Sequence, residues 1–443
     1  GFRQVEMAPG YVYLHPDGHS LVFWRDPAKT AAEIRRFSEH DATEFLALMR
    51  LIDAFMDMAI PMMRVDPSQR NLGAKWEALK AVLRNRHLKP EIMALIGSPA
   101  YVSIMERFEH PVTQSAMCAL LGAAGPITNE ATGIYFALLG FIHRFGLGRA
   151  VGGMQTLSNA LAARLTELGG EILLSTQIKE IVAEGGRATG VRLPDGSLIK
   201  AKAVVASIHP KMALEMVTPG ALDRRLLTRI ALAPANGHGA SPLKVDVALR
   251  SQVQYRRHEA MRPDGLSLRK CVHLIGTVEA VLENFRSSAR GEVPKLPYMW
   301  ITAPSAVDPS QAPEGQDVVY LYPVAMPVEP REGWDAIRAQ VGQQVIDQAS
   351  DYMDGLKAFE IGRRIEAAPD LAARLNVHRG CVVHIDTSTT RSSLMRPAPG
   401  LGGDTLPVAG LFLGGAGIHP GGGINGLPGR IAAGRVKRFL AGS

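Results

Sequence analysis

The spacing of apolar residues divides the chain into segments of different periodicity. Alternating apolar positions flank the turn at residues 15–19, and they predict a β-hairpin over residues 11–24. Apolar residues then recur at helical spacing, which predicts a helix-rich segment from about residue 30 to residue 145.

A shorter block, residues 146–209, combines one helix with several strands. Over residues 154–168 the apolar positions Leu157, Leu161, Leu165 and Leu168 share one helical face. Strands are predicted at 172–174, 177–183, 188–193, 198–201 and 203–206.

The next block, residues 210–405, mixes strands and helices. Strands are predicted at 245–249, 271–275, 298–302 and 318–322, and a long amphipathic helix is predicted over 334–352. We expect an antiparallel sheet that is covered by the earlier helices.

Glycine is dense where the last predicted strand, 408–413, meets the last predicted helix. Eight glycines lie in the sixteen residues 414–429. Glycine lets a backbone approach a bulky ligand where a Cβ atom would collide, and a helix N-terminus offers free N–H groups to a phosphate or another electron-rich group. The alternative is a tight strand-to-helix connection with no ligand.

A G-x-G-x-x-G pattern occurs within this turn at Gly421, Gly423 and Gly426. By itself the pattern is weak, because a nucleotide fingerprint also needs a second parallel strand and an acidic residue about 20 positions further on. We therefore expect the turn to complete a cofactor site whose main part lies elsewhere.

Composition narrows the classes of function. A length of 443 residues favours two domains. The net charge of +7 is modest and the basic residues are scattered, which argues against nucleic acid as a partner. Three distant cysteines, Cys118, Cys271 and Cys381, argue against a disulfide framework or a zinc site and favour a reducing compartment. No metal-ligand cluster is apparent.

Residues 413–429 resemble the C-terminal FAD motif of the phytoene desaturase-related FAD-dependent oxidoreductases, a family that includes the pyridine nucleotide-disulfide oxidoreductase domain-containing protein 2 group. Three further segments, 151–161, 186–207 and 308–315, resemble family segments and occur in family order. The resemblance spans nearly the whole chain.

The resemblance implies an α/β fold, with an FAD-binding Rossmann-like domain interleaved with an α+β substrate domain that contains an antiparallel sheet. It assigns 1–145 and 210–405 to the substrate domain, and 146–209 and 406–443 to the FAD-binding domain. The family's first βαβ unit has no counterpart before Gly152. We therefore interpret the chain as an N-terminally truncated fragment that is inactive by itself; the alternative is a natural protein that has lost this element.

The resemblance also implies the cofactor, FAD, and the residues that bind it. Amides of Gly421–Gly423 are expected near the pyrimidine edge of the flavin, the backbone of Ile178 on a strand near the adenine, and Ser207 near the nucleotide. The alternatives for Ile178 and Ser207 are ordinary strand residues. The complete predicted set is Gly152, Gly153, Ile178, Ser207, Gly414, Gly415, Ala416, Gly417, Gly421, Gly422, Gly423 and Ile424.

His419 is the one titratable residue inside the glycine turn, which makes it the candidate catalytic residue. The alternative is a histidine that fixes the loop. His384 and Asp386 alternate in sequence and are expected to form a structural pair on one face of a strand.

The resulting hypothesis is a dehydrogenase or desaturase-like flavoenzyme that transfers a hydride from an apolar organic substrate to the flavin. Two alternatives stay open: a non-catalytic flavoprotein-like regulator or scaffold that binds protein partners, and an amine oxidase-like flavoenzyme. The expected location is cytoplasmic, or the mitochondrial matrix in a eukaryote. Peripheral membrane contact and the oligomeric state are left open.

Overall fold

The computed structural model describes residues 1–403 and 406–442, which form two compact units. Unit 1 comprises Gly1–Asp53, Pro90–Ile172 and His238–Asp370. Unit 2 comprises Ala54–Lys89, Leu173–Gly237 and Leu371–Ser443. The division into FAD-binding and substrate domains at residues 145, 209 and 405 stays a prediction.

The strands are β1 Gln4–Met7, β2 Tyr11–Leu14, β3 Ser20–Phe23, β4 Leu147–Ala150, β5 Glu180–Glu184, β6 Arg187–Arg192, β7 Leu198–Lys200, β8 Val204–Ala206, β9 Ala240–Ser241, β10 Lys244–Leu249, β11 Val272–Ile275, β12 Met299–Thr302, β13 Asp317–Pro323, β14 Met326–Pro327, β15 Glu360–Glu366 and β16 Leu411–Leu413. The α-helices are α1 Pro27–Arg35, α2 Glu39–Met63, α3 Leu72–Arg84, α4 Lys89–Gly97, α5 Ala100–Arg107, α6 Pro111–Leu121, α7 Ala137–Phe145, α8 Gln155–Glu167, α9 Pro210–Glu215, α10 Arg224–Ala231, α11 Arg256–Ala260, α12 Val278–Ala289, α13 Pro304–Val307, α14 Trp334–Ala349, α15 Leu356–Phe359, α16 Ala368–Leu375 and α17 Leu427–Ala441.

Unit 1 is built on a seven-stranded sheet with the order β15-β10-β13-β12-β11-β2-β3. The predicted hairpin is present, since β2 and β3 pair antiparallel with Tyr11 opposite Phe23. Every other pair in this sheet is also antiparallel except β2 with β11, which run parallel. The predicted antiparallel sheet is therefore confirmed, with one parallel pair inside it.

Helix α14 packs on this sheet because each of them presents an apolar face, which repeats every second residue along the strand and about every 3.6 residues along the helix. Val245 and Val247 of β10 alternate towards the core, where they meet Val341 and Val345 of α14. Gly342 lies between these valines, and a Cβ atom there would collide with the side chain of Ile365. Glycine at 342 therefore lets the helix approach the sheet closely.

Unit 2 contains two small sheets. Strands β5, β6 and β7 form an antiparallel meander, and β8 pairs parallel with β16. Helix α17 follows β16 and contributes Ile431 and Ala432 to the buried core. The strand pair and the following helix agree with the elements predicted at 203–206 and from 408 onward.

Two predictions for the middle of the chain are wrong. Residues 172–174 form no strand, and their side chains are exposed, because no strand in the described part of the chain lies beside them to complete a backbone ladder. Ile178 is not on a strand either. The pairing with β6 begins at the next residue, where the Lys179 amide donates to the Arg192 carbonyl at 2.9 Å.

Helix α8 forms where it was predicted, but its leucine face is not buried. Leu161, Leu165 and Leu168 are exposed, and the helix has no fully buried residue. No element among the described residues covers these leucines. Helical periodicity therefore located the helix and its apolar face, and the structure shows that this face is exposed.

A buried carboxylate ties the loop before α3 to helix α17 in unit 2. Asp66 accepts hydrogen bonds from Nε and Nη2 of Arg435 at 3.0 and 2.8 Å and from Arg438 at 2.6 Å. Arg435 is buried and also donates to the Gly402 carbonyl. Hydrogen bonds from Arg435 and Ser68 hold the pKa of the Asp66 carboxyl well below its usual range despite burial, so this carboxyl is ionised.

We predict that Asp66→Asn lowers the free energy of unfolding by about 3–5 kcal/mol, because it leaves the Arg435 guanidinium buried without a counter-charge. Asp57→Asn is the matched control: it removes an ion pair with the exposed Arg84 and should change stability by less than about 1 kcal/mol. Chemical denaturation of both variants measures the difference. Equal effects would contradict this account.

Candidate functional site

The carboxyl ends of two parallel strands meet in unit 2. Leu411, Phe412 and Leu413 of β16 lie opposite Val204, Val205 and Ala206 of β8. The Gly414 amide then donates to the Ala206 carbonyl at 2.8 Å. In open α/β sheets, ligands bind in the crevice outside the carboxyl ends of the strands, so this edge is a candidate binding site.

Glycine at 415 is required by the closeness of the two strand ends. Its φ is +70°, and a Cβ atom there would lie 2.5 Å from the carbonyl oxygen of Ser207. A side chain would therefore push β16 away from β8. The structure thus brings together three predicted cofactor residues, Ser207, Gly414 and Gly415.

A buried arginine fixes the next part of the turn. The Arg396 guanidinium donates to the carbonyls of Ala416 at 2.9 Å, Val383 at 2.8 Å and Ile385 at 2.9 Å. Burial lowers the pKa of Arg396 to about 10, so it stays protonated at neutral pH. Sequence reasoning missed this residue, because a single arginine in an irregular segment carries no periodic or motif signal.

The second half of the turn presents its backbone to solvent. Gly421 and Gly423 have φ of +106° and +112°, and residues 422–426 are exposed. Gly422 differs from its neighbours: its φ is not positive, and a Cβ atom would make only ordinary contact with Ala416 at 3.6 Å. The backbone conformation therefore does not require glycine at 422. Close approach of a ligand to this position would explain why a glycine is found there.

His419 is buried and attached to the C-terminal end of α2. Its Nε2 atom donates to the Met62 carbonyl at 3.1 Å. Burial lowers the pKa of His419, so the ring is neutral at pH 7. This hydrogen bond holds the glycine turn in place, as the alternative interpretation expected; a catalytic role for His419 stays a prediction.

His209 and His384 are two buried histidines that lie next to the glycine turn. Nε2 of His209 donates to the His384 carbonyl at 2.7 Å, and its Nδ1 accepts from the Lys211 amide at the start of α9. Nδ1 of His384 is buried without a hydrogen-bond partner among the described residues. That nitrogen lies 3.5 Å from the position of a Cβ atom on Gly417, so an orphaned polar atom faces the turn.

The predicted pairing of His384 with Asp386 on one strand face is wrong. Residues 384–386 are irregular, and His384 has a φ of +64°. Asp386 instead accepts from the amides of Asn236 at 2.7 Å and Gly237 at 2.9 Å. The two backbone donors satisfy the carboxylate, and this arrangement replaces the sequence-local pair.

The remaining predicted glycines, Gly152 and Gly153, lie in unit 1. The Gly152 amide donates to Oδ2 of the buried Asp308 at 2.7 Å. Both glycines have positive φ, and a Cβ atom on Gly153 would lie 3.2 Å from the Gln311 side chain. Two segments that resemble the family, 151–161 and 308–315, therefore meet within this unit.

The donor set fits a flavin nucleotide. At the end of the β8–β16 pair, exposed backbone at 422–424 offers N–H groups to electron-rich atoms. At the N-terminus of α17, the Leu427 amide donates to the Asn425 side chain at 2.9 Å and Pro428 carries no N–H. Ser207, Gly414, Gly415, Ala416 and Gly417 would line the same edge, with the orphaned His384 nitrogen behind them.

Comparison with known proteins decides the family. Residues 3–436 match the family described as flavin containing amine oxidoreductase. The chain belongs to this family. The flavoprotein is 26% identical to pyridine nucleotide-disulfide oxidoreductase domain-containing protein 2 of Mus musculus, over 95% of this chain and 77% of that protein. It is 25% identical to a neurosporene-forming phytoene desaturase of Rhodobacter capsulatus, over 95% of this chain and 76% of that one.

Solved structures confirm the fold class. An oxidoreductase from Methanosarcina mazei superimposes with a TM-score of 0.59 at 12% identity, covering 99% of this chain and 82% of that chain. The flavoprotein is therefore an FAD-dependent oxidoreductase with the predicted combination of a Rossmann-like FAD-binding domain and a substrate domain. None of the helices in residues 1–403 and 406–442 is both long and apolar enough to span a membrane.

We predict that Gly415→Ala lowers the free energy of unfolding by roughly 2–3 kcal/mol, because its Cβ atom would collide with the Ser207 carbonyl and its φ is unfavourable. Gly429→Ala, on helix α17 with open space around it, should be neutral or stabilising by up to about 1 kcal/mol. Thermal unfolding measures both. A neutral Gly415→Ala would show that the strand ends are not closely constrained.

A second prediction concerns acid stability. Burial lowers the pKa of His209 from 6.5 to about 4. As the pH falls through this interval, the unfolded state binds the proton first, so the free energy of unfolding decreases by up to roughly 3 kcal/mol. Below about pH 4 this contribution is lost completely.

His209→Asn retains an acceptor for the Lys211 amide and cannot titrate. We expect it to be less stable than the wild type at pH 7 but to lose less stability between pH 6.5 and 4. His87→Asn, at an exposed position, is the control and should keep the wild-type pH dependence. Denaturation curves at several pH values test this, and an unchanged slope for His209→Asn would refute it.

Proposed function

We propose that this FAD-dependent oxidoreductase removes hydrogen from an apolar organic substrate. The observation that carries the proposal is the edge of the β8–β16 pair, where a Cβ atom on Gly415 would lie 2.5 Å from the Ser207 carbonyl oxygen and a glycine-rich backbone is open to a ligand. The substrate class is supported by sequence relatives whose names give phytoene as the molecule that they desaturate.

When bound, FAD supplies the hydride acceptor, so the protein's part is to bind, orient and exclude water. Amides of Gly422 and Gly423 would stabilise negative charge at one edge of the flavin, whereas the Gly421 amide donates to the Ile418 carbonyl at 2.8 Å. Ile178 of unit 2 would contact another part of the dinucleotide, and a cofactor role for Gly152 and Gly153 of unit 1 stays a prediction. His419, neutral at pH 7 because burial lowers its pKa, remains the candidate for orienting the substrate.

Amine oxidation is the second candidate function, and the family description favours it. The two reactions differ in the substrate that reduces the flavin, and one assay therefore separates them. A regulator or scaffold would bind protein partners without turnover, and no substrate of either class would reduce its flavin.

An apolar substrate has low solubility in water and partitions into membranes. We therefore propose that the protein works in the cytoplasm, or in the mitochondrial matrix of a eukaryote, with peripheral contact to a membrane. This contact would give access to the substrate without a membrane-spanning helix.

The test is anaerobic mixing of the FAD-loaded full-length protein with an apolar polyene such as phytoene or with a primary amine such as putrescine. We expect the polyene to bleach the absorbance band of the oxidised flavin and the amine to leave it unchanged. Bleaching by the amine alone would favour amine oxidation, and bleaching by neither would contradict both enzyme proposals.

Gly422→Val is the matched variant for the cofactor site. The backbone tolerates a Cβ atom at 422, so the fold should persist while the branched side chain blocks close approach of the flavin. We expect an unchanged melting temperature without FAD and a loss of at least about tenfold in FAD affinity, measured by flavin fluorescence. Full FAD occupancy of this variant would remove residues 421–423 from the site.

A further inference from the structure

Helix α3 carries a stripe of large apolar side chains on its solvent side. Leu72, Trp76, Leu79 and Leu83 are 74%, 58%, 45% and 56% exposed. Their spacing places them within about 60° of the helix circumference, at 3.6 residues per turn. We call these four residues the α3 stripe.

The opposite side of α3 faces the protein with small residues. Ala81 is buried, and Ala74 and Ala78 are half-buried. A surface helix of a globular protein normally turns its large apolar residues inward and its polar residues outward. The arrangement in α3 is the reverse, so its outer face needs an apolar environment of its own.

The charges around the stripe indicate which kind of apolar environment covers the outer face of α3. Lys75 and Lys80 border the stripe on its two sides, at about 70° from its centre. Residues 70–89 contain six basic residues and one acidic residue, Glu77. Arg84 pairs with Asp57 at 2.7 Å; five basic residues remain around the stripe.

The stripe is also attached to the cofactor turn within unit 2. The loop that leads into α3 is held by the buried pair of Asp66 with Arg435 of α17. The helix before that loop accepts a hydrogen bond from His419 through the Met62 carbonyl. Helix α3 is therefore fixed in position relative to the glycine turn and does not hang from a free linker.

We propose that α3 is a membrane-docking helix that lies in the interface of an anionic bilayer. Leucine and tryptophan side chains would enter the acyl boundary while Lys75 and Lys80 contact anionic headgroups, which is the physical pattern of interfacial amphipathic helices. The inference rests on the proposed function for its purpose, since docking would bring the site to a membrane-dissolved substrate. The surface itself is defined without reference to that substrate.

The test is sedimentation of the purified protein with vesicles of phosphatidylcholine alone or with about a quarter phosphatidylglycerol. We expect binding to the anionic vesicles, with a weaker interaction at high salt and on neutral vesicles. The double variant Trp76→Glu/Leu79→Glu should lower the partition coefficient by at least about tenfold. Leu232→Glu, at a position that is 76% exposed in the same unit, is the matched control and should bind like the wild type.

A second pair of variants separates charge from apolar insertion. Lys75→Glu/Lys80→Glu should weaken binding to anionic vesicles and leave the residual binding to neutral vesicles unchanged. All substituted side chains are exposed, so circular dichroism and melting temperature should match those of the wild type.

Three outcomes would overturn the proposal: no vesicle binding by the wild type, equal binding by Trp76→Glu/Leu79→Glu, or a dimer that this variant dissociates while vesicles bind neither protein. The last result would assign the stripe to a second copy of the chain. Flavin bleaching by the polyene in detergent is measured on the same preparations. If the protein binds vesicles but the polyene does not bleach the flavin, only the proposed substrate is rejected. If the polyene bleaches the flavin but the protein does not bind vesicles, only the docking helix is rejected.

Discussion

Close backbone contact between the carboxyl ends of β8 and β16 is the constraint on which the candidate cofactor edge of unit 2 depends. The Gly414 amide completes the ladder with Ala206, and Gly415 must then turn away over the Ser207 carbonyl with a positive φ. No side chain fits there. The same turn that closes the sheet therefore leaves main-chain N–H groups, and not side chains, at the place where a nucleotide would bind.

Buried polar side chains hold that turn through hydrogen bonds to main-chain carbonyls. Arg396 donates to three carbonyls, and His209 donates to a fourth. His419 attaches the loop to α2 through its hydrogen bond to the Met62 carbonyl. Burial lowers the pKa of both histidines, so they are neutral near pH 7. The charge that supports the turn is therefore concentrated in Arg396.

Amphipathic patterning predicted where helices form, but it did not show which of their faces are buried. The leucines of α8 and the stripe of α3 both have helical spacing, and both are exposed. Periodicity shows which residues share a face, but it does not show what that face contacts. In α3, alanines on the inner side and lysines beside the stripe carry the additional information, which becomes visible only when the buried side of the helix is known.

The sequence by itself determined the family, the cofactor and most of the elements, because these depend on local spacing and on motifs such as 413–429. The resemblance also named Gly415 and Ser207, which the structure brings close together, while their part in cofactor binding stays a prediction. Tertiary structure decided what depends on contacts between distant residues: Arg396 beneath Ala416, Asp308 on Gly152, and Asp386 paired with backbone amides and not with His384. The strand expected at 172–174 failed for the same reason, since a strand exists only where a neighbour completes its hydrogen bonds.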